Sequence, residues 1–202
     1  DQAAATWDDN PVRAALSTAI AAAIRDHVPL TPAMTVLEYG CGTAALSFLL
    51  SPHVGPILAM DASAGMVAQA ARKITAAAAE TITVQCLDLT ADPLPSARFD
   101  LIVCAMALHH IEDICVVLNA FAQLLRPGGH VALADLCPEE GSFHGDMPVP
   151  HLGFDPAELA AQLIDAGLSA PAWRVIHEVD KAGKTYSVFL LDACGPKPAP
   201  TA

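Results

Sequence analysis

Basic residues are scarce in this sequence. Ten Lys and Arg stand against 22 Asp and Glu, a net charge of −12 with His neutral, and nowhere do three basic residues run together. A nucleic-acid or anionic-membrane surface needs a basic stripe to displace counterions, so the composition argues against both partners. Long apolar runs are missing as well. Apolar residues make up 53% of the chain and the mean hydropathy is +0.43, yet the uncharged apolar stretches 14–24 and 101–108 fall short of the roughly 18 residues that cross a bilayer. Much of the hydropathy comes from alanine, as in 76–79. The N-terminus has no basic region followed by a hydrophobic stretch, and a cytoplasmic location is expected. The six cysteines, Cys41, Cys86, Cys104, Cys115, Cys137 and Cys194, include no C-x-x-C pair. Buried reduced thiols are therefore expected rather than zinc or redox chemistry. There is no internal repeat and no sign of a second domain.

Short β-branched or apolar runs alternate with stretches of helical periodicity, which is the pattern of an α/β fold. Asn10-Pro11 offers a cap and a first-turn proline for a helix over 11–28, which Pro29 and Pro32 end. Strands are expected at 34–39, 56–60, 81–87, 99–104 and 130–136. Helices are expected at 43–50, from a Ser63 cap to 78, and over 111–125, with Pro127-Gly128-Gly129 stopping the last. The segment 137–153 has Pro138, Pro148 and Pro150 together with Gly141, Gly145 and Gly153, and reads as a long functional loop. Within it, Pro138-Glu139-Glu140 reads as a solvated turn. Asp155-Pro156 opens a further helix that Gly167 ends. The runs 172–179 and 185–191 are joined too closely for a crossover and must form an antiparallel hairpin.

The chemistry concentrates at strand tips. Glu38-Tyr39-Gly40-Cys41-Gly42-Thr43-Ala44 places two glycines at a strand-to-helix turn, where the backbone bends sharply and a ligand can approach. Strand two ends at Asp61, roughly 20 residues on, where a carboxylate can accept from both hydroxyls of a ribose. Strand three runs into Asp88, and the tips of strands one to three line one crevice. A nucleoside ligand is implied. Gly40-Cys41-Gly42-Thr43-Ala44-Ala45 also satisfies G-x-G-x-x-A, so a nicotinamide or flavin dinucleotide fits the glycines alone. Glu38 discriminates: a carboxylate there would meet a pyrophosphate as a like charge, whereas a cationic sulfonium and ammonium would be welcomed.

The motifs VLEYGCGTA at 36–44, ILAMDAS at 57–63, Asp88-Leu89, FDLIVCAMALHHIED at 99–113 and LLRPGGHVALADL at 124–136 resemble the class I S-adenosylmethionine-dependent methyltransferases, in particular the type 11/12-like group with small-molecule substrates. The resemblance covers 36–136. It implies a Rossmann-like three-layer sandwich whose mostly parallel seven-stranded sheet ends in a C-terminal antiparallel hairpin. It implies one domain over 1–195, with a helical cap at 1–30, a substrate-side loop at 137–154 and a flexible tail at 196–202. S-adenosylmethionine is the implied cofactor. Glu38, Gly40 and Gly42 would surround its methionine moiety, Asp61 its ribose, Met66 its adenine face, Asp88 and Leu89 its adenine edge, and the Ala105 backbone its amino group. Ala44 departs from the usual third glycine, which bears on close packing at that turn.

For the transfer itself, an acceptor that must lose a proton needs a base near neutral pH, and His110, His144 and His151 are the candidates. His109 reads as a capping or structural imidazole and Cys41 as a small turn residue. The set His144, Asp146 and His151 lacks the density of a metal site, so no metal is expected. Trp7, Phe143, Met147 and Phe154 suit a small organic acceptor. Two other readings stay open at this point: a nicotinamide-dependent oxidoreductase, and a nucleoside-binding module without catalysis.

Overall fold

A computed structural model describes residues 2–145 and 147–195. Asp146 and the expected tail 196–202 lie outside the described residues. The chain opens with a 3-10 turn (Gln2–Asp9), followed by α1 (Pro11–His27), β1 (Val36–Tyr39), α2 (Ala45–Leu50), β2 (Ile57–Asp61), α3 (Ala64–Ala76), β3 (Ile82–Cys86), β4 (Phe99–Ala105), a 3-10 turn (Leu108–His110), α4 (Ile114–Leu124), β5 (Leu125–Leu136), α5 (Pro156–Asp165), β6 (Ser169–Lys181) and β7 (Lys184–Cys194).

The helix starts follow from capping. Asn10 accepts from the Val12 N–H, Ser63 from Met66, Asp113 from Cys115 and Val116, and Asp155 from Ala157 and Glu158, so each satisfies N–H groups that the first turn leaves without helical partners. Asp113 explains why α4 begins at Ile114 rather than at 111: the cap must precede the helix, and the histidines before it form a separate 3-10 turn.

The strands assemble into one seven-stranded sheet in the order β3-β2-β1-β4-β5-β7-β6. Neighbours from β3 to β5 are parallel, and β7 runs antiparallel to both β5 and β6. The C-terminal hairpin is present, closed by Ala182 and Gly183 at positive φ, and it is β7 rather than β6 that docks on β5. Pro127-Gly128-Gly129 ends α4 without leaving the sheet: β5 already pairs with β4 at Leu125, and the register shifts between Phe99 and Leu101 to absorb the irregular residues.

Both faces of the sheet are covered, which is why β1 is buried along its whole length and reads as a near-continuous apolar run. On one face α4 and α5 contribute Phe121, Leu118, Leu159 and Leu163. On the other, α1 and α2 contribute Ile20, Ile24, Leu46 and Leu50. Not every thiol joins these cores: Cys86, on the edge strand β3, and Cys115, in the first turn of α4, are exposed. The chain passes from β3 on one side of β1 to β4 on the other, so the carboxyl ends of β1 and β4 splay apart at the topological switch point.

Phe121 is wholly buried and meets Tyr39 of β1 edge to face, with centroids 5.8 Å apart. Phe121→Ala is expected to cost about 3–5 kcal/mol in urea unfolding. Val116→Ala on the exposed side of the same helix should stay within about 0.5 kcal/mol.

Candidate functional site

β1 ends in a turn that glycine alone can make. Gly40 (φ +71) and Gly42 (φ +53) are left-handed, and a Cβ on Gly40 would lie 2.3 Å from the Ala107 Cβ. The turn is thus pressed directly beneath the loop that leaves β4. Ala44 also adopts positive φ and is fully buried, so the alanine in place of a third glycine accepts some strain without disturbing the packing.

Two carboxylates sit at this turn. Asp61, at the tip of β2, accepts from the Gly42 N–H and from the Ser63 N–H, both at 2.8 Å. It therefore borders the glycine turn, where its carboxyl oxygens can also accept from ligand hydroxyls. Glu38 is 3% exposed and accepts from the Ser47 hydroxyl. Burial pushes its carboxyl up to about 7, against the opposing pull of the Ser47 hydrogen bonds. The expected negative mouth is therefore a buried carboxyl poised between its two protonation states at neutral pH. The sequence could show the acid but not the removal of its water.

A cavity of about 360 Å³ opens at these strand tips, and its wall includes Glu38, Gly40, Gly42, Ala105, His110 and His144. Leu89 and Asp88 are held at the end of β3 by the Tyr39 hydroxyl, which accepts from the Leu89 N–H at 3.2 Å and donates to Asp88 at 3.3 Å. Burial alone would raise the Asp88 carboxyl; the hydrogen bonds from Thr90 and Tyr39 outweigh it and hold the group below its ordinary value. Met66 is half-buried on the first turn of α3, with its N–H given to the Ser63 hydroxyl. Asp61, Met66, Asp88 and Leu89 are not among the residues lining the cavity.

Over the glycine turn lies the N-terminal segment. The Trp7 indole nitrogen is 3.9 Å from where a Gly42 Cβ would be, and its ring stacks against the Arg13 guanidinium at 3.7 Å. Asp8 fastens the segment, accepting from the Thr43 hydroxyl at 2.6 Å and from Lys73 at 2.7 Å. The opposite wall comes from the loop 137–153, whose neck is closed by Phe154 N–H to Leu136 O at 2.8 Å and Glu139 N–H to Leu152 O at 2.9 Å. Glu139 is not a solvated turn: it accepts from the N–H groups of Ser142 and Phe143. Together with Lys181, which donates to the Phe143 carbonyl at 2.5 Å, it fixes the stretch that carries His144.

The histidines divide. His110 and His144 face the cavity, whereas the His151 ring bonds the Ile111 carbonyl at 2.9 Å and packs on Phe154, away from the cavity wall. Partial burial, and then the adjoining rings of His109 and His144, push His110 down to about 4. Burial also lowers His144, so both imidazoles are neutral at pH 7. His109, read from sequence as structural, is buried, lines the same cavity, and is tied through Nδ1 to Asp135 at 2.6 Å. Asp135 was the residue that sequence reasoning passed over. Its signal is an acid inside the buried run of β5, a position that requires a polar partner. The parallel pairing of Ala105 with Ala134 delivers Asp135 to the histidines that follow β4. Cys41 is buried, and burial with the neighbouring Glu38 and Asp61 carboxylates pushes its thiol far up, which suits a turn residue and not a nucleophile.

The methyltransferase domain family matches residues 36–129. An uncharacterized methyltransferase of Schizosaccharomyces pombe is 33% identical over 152 residues, 67% of this chain and 54% of that protein. A Haloferax volcanii protein solved in complex with the Trm112 methyltransferase activator has a TM-score of 0.80 at 19% identity, covering 96% of each chain. The N-methyltransferase NodS of Bradyrhizobium japonicum, solved with S-adenosyl-l-homocysteine, has a TM-score of 0.72 at 19% identity over 94% of this chain and 90% of that one. The structural likenesses show the fold. The chain spans about half the length of the curated relatives it matches.

The raised Glu38 carboxyl makes a pH-dependent stability prediction. Its pKa in the folded chain, about 7, exceeds the ordinary 4.5. Below 4.5 both states are protonated and nothing is lost; as pH rises through 7 the fold must hold an unfavourable buried charge. Glu38→Gln should thus leave stability unchanged near pH 4 and raise it by up to about 3 kcal/mol at pH 8 in the ligand-free protein. Denaturant unfolding at the two pH values measures this, and equal effects at both would contradict the assignment.

Proposed function

We propose that the protein, whose residues 36–129 match the methyltransferase domain family, transfers a methyl group from S-adenosylmethionine to a small-molecule acceptor by in-line displacement. Glu38 supports the reading most directly. A buried carboxyl with one hydroxyl partner, beneath a turn that leaves no room for a Cβ, is a seat for a cation brought close to the backbone. An ammonium or sulfonium would complete its charge, whereas a diphosphate would meet it as a like charge. The residues present therefore fit S-adenosylmethionine better than a dinucleotide.

Glu38, Gly40, Gly42 and the Ala105 backbone would hold the methionine end, Asp61 the ribose hydroxyls, and Met66, Asp88 and Leu89 the adenine. S-adenosylmethionine supplies an activated methyl on a positively charged sulfur. What the chain must add is alignment of the acceptor and exclusion of water. Trp7 and the 3-10 turn it belongs to close one side, and Phe143 with Met147 the other. Their apolar surfaces, and a cavity of about 360 Å³, suit a compact organic acceptor rather than a nucleic acid. An acceptor O–H, N–H or S–H in that cavity lies before the neutral imidazoles of His110 and His144, with His109 held in orientation by Asp135. These are the groups placed to receive its proton, as weaker bases than a free imidazole because burial lowers both. His151, engaged with the Ile111 carbonyl, would act by holding the loop.

Thermal shift separates the ligand classes. S-adenosylmethionine and S-adenosylhomocysteine at a hundredfold excess over Kd should stabilise by roughly 2.7 kcal/mol, a rise of about 5–10 °C in Tm for a domain of this size, with NAD producing none. Asp61→Asn should weaken S-adenosylhomocysteine about tenfold or more through loss of charged hydrogen bonds. Stabilisation by NAD and not by the sulfonium compound would reverse the reading. Screening of candidate acceptors with a labelled methyl donor then identifies the product, and His110→Ala should lower its rate while leaving cofactor affinity intact.

A further inference from the structure

One nitrogen from each of His109, His110 and His144 lies within 4.8 Å of the other two. The ring centroids are 4.2, 4.6 and 5.3 Å apart. Binding a methyl donor does not require such a set of nitrogens, and the set carries two further marks. The His144 Nε2 is buried with no hydrogen-bond partner among the described residues, an unfavourable state that a ligand would relieve. His109 has its Nδ1 fixed on the Asp135 carboxylate at 2.6 Å, which leaves Nε2 as its free donor atom. A carboxylate behind an imidazole sets the tautomer and raises the basicity of the outward nitrogen, the arrangement usually found behind metal-bound histidine.

We propose that His109, His110 and His144 form a three-histidine site for a divalent transition-metal ion, with its fourth coordination position open to the cavity. Three nitrogen donors without carboxylates select zinc, copper, nickel or cobalt over magnesium or calcium. Zinc at about 2.0–2.1 Å from each nitrogen would place the nitrogens roughly 3.3–3.4 Å apart, so the cluster must contract from its present spread. His109 and His110 belong to one turn whose place is set by β4 and β5. His144 therefore supplies the contraction, because it sits in a loop and not in a strand: Glu139 and Lys181 anchor the neighbouring Phe143 backbone and leave the His144 side chain to turn.

The site deepens the methyl-transfer reading and rests on it for its role, although ion binding itself can be tested without it. An acceptor thiol or hydroxyl bound at the open position would lose its proton to solvent more readily, as metal-bound water does. Its lone pair then forms the new bond to the methyl carbon while the carbon–sulfur bond breaks and its electron pair remains on the departing thioether sulfur. In the loaded protein the histidine nitrogens thus meet the acceptor through the ion instead of taking the proton themselves.

The test is titration of chelator-treated protein with Zn²⁺ by calorimetry and with Co²⁺ by visible absorption, with S-adenosylhomocysteine binding followed in parallel. One ion per chain is expected, with the intense absorption of tetrahedral Co²⁺. His144→Ala and His110→Ala should each weaken the ion at least tenfold, and Asp135→Asn about 10–100-fold, while His27→Ala on the exposed end of α1 changes nothing. S-adenosylhomocysteine binding by His144→Ala and His110→Ala serves as the check that they are folded. Absence of stoichiometric binding, or binding that survives both cavity variants, overturns the site. If the ion fails but S-adenosylhomocysteine binds, the methyl-transfer reading stands alone; if the ion binds and S-adenosylhomocysteine does not, that reading falls and the metal site remains.

Discussion

The site depends on one acid that the fold has taken out of water. Glu38 lies in the most central parallel strand pairing, with β2 and β4 on either side, and 3% of it is exposed. A carboxyl so placed is costly to ionise unless a cation arrives. The glycine turn above it has no side chain to supply that cation, and the Gly40 position leaves no space for one. Apolar burial across both faces of the sheet fixes the strand, the strand fixes Glu38, and Glu38 with the turn forms the acidic seat that the proposed S-adenosylmethionine cation would fit. The net acidity of the chain, −12, adds a favourable long-range field for the same ligand class.

Around that seat the topology places the remaining groups without needing them to be near in sequence. The strand order brings β4 beside β5, so that the histidines after one strand meet the acid near the end of the other. The 137–153 loop, closed at its neck and tied to the terminal hairpin, returns His144 to the same wall. The N-terminal segment reaches across the glycine turn through Asp8 and Trp7. On the proposed function, cofactor binding falls to the shared sheet, and selection of the acceptor to the two segments that cover it.

Much of this was legible in the residues themselves. Alternating strand and helix runs gave the α/β class, and the glycine turn, Asp61 and the short link 180–184 gave the crevice and the hairpin, because each rests on local chemistry with few alternatives. What escaped was tertiary. Glu38 was visible as an acid, but its lifted pKa comes from burial that no local pattern records. Asp135 was hidden inside an apolar strand motif, and its role appears only once β4 and β5 are paired. The histidine cluster joins two adjacent residues to a third from a loop without periodicity, so spacing alone could group His144 only with Asp146 and His151, a set too sparse for a metal. Glu139 read as a solvated turn because a carboxylate that accepts from nearby backbone N–H groups has the same sequence as one that does not.

The most direct measurement of the central claim is the proton count on cofactor binding. Calorimetric titration of S-adenosylmethionine at pH 6, in buffers of differing ionisation enthalpy, reads it without any knowledge of the acceptor. With the Glu38 carboxyl lifted to about 7 in the free protein and ionised against the bound cation, close to one proton should leave per ligand, and none in Glu38→Gln. Binding of equal strength with no proton released by the unaltered protein would contradict the account.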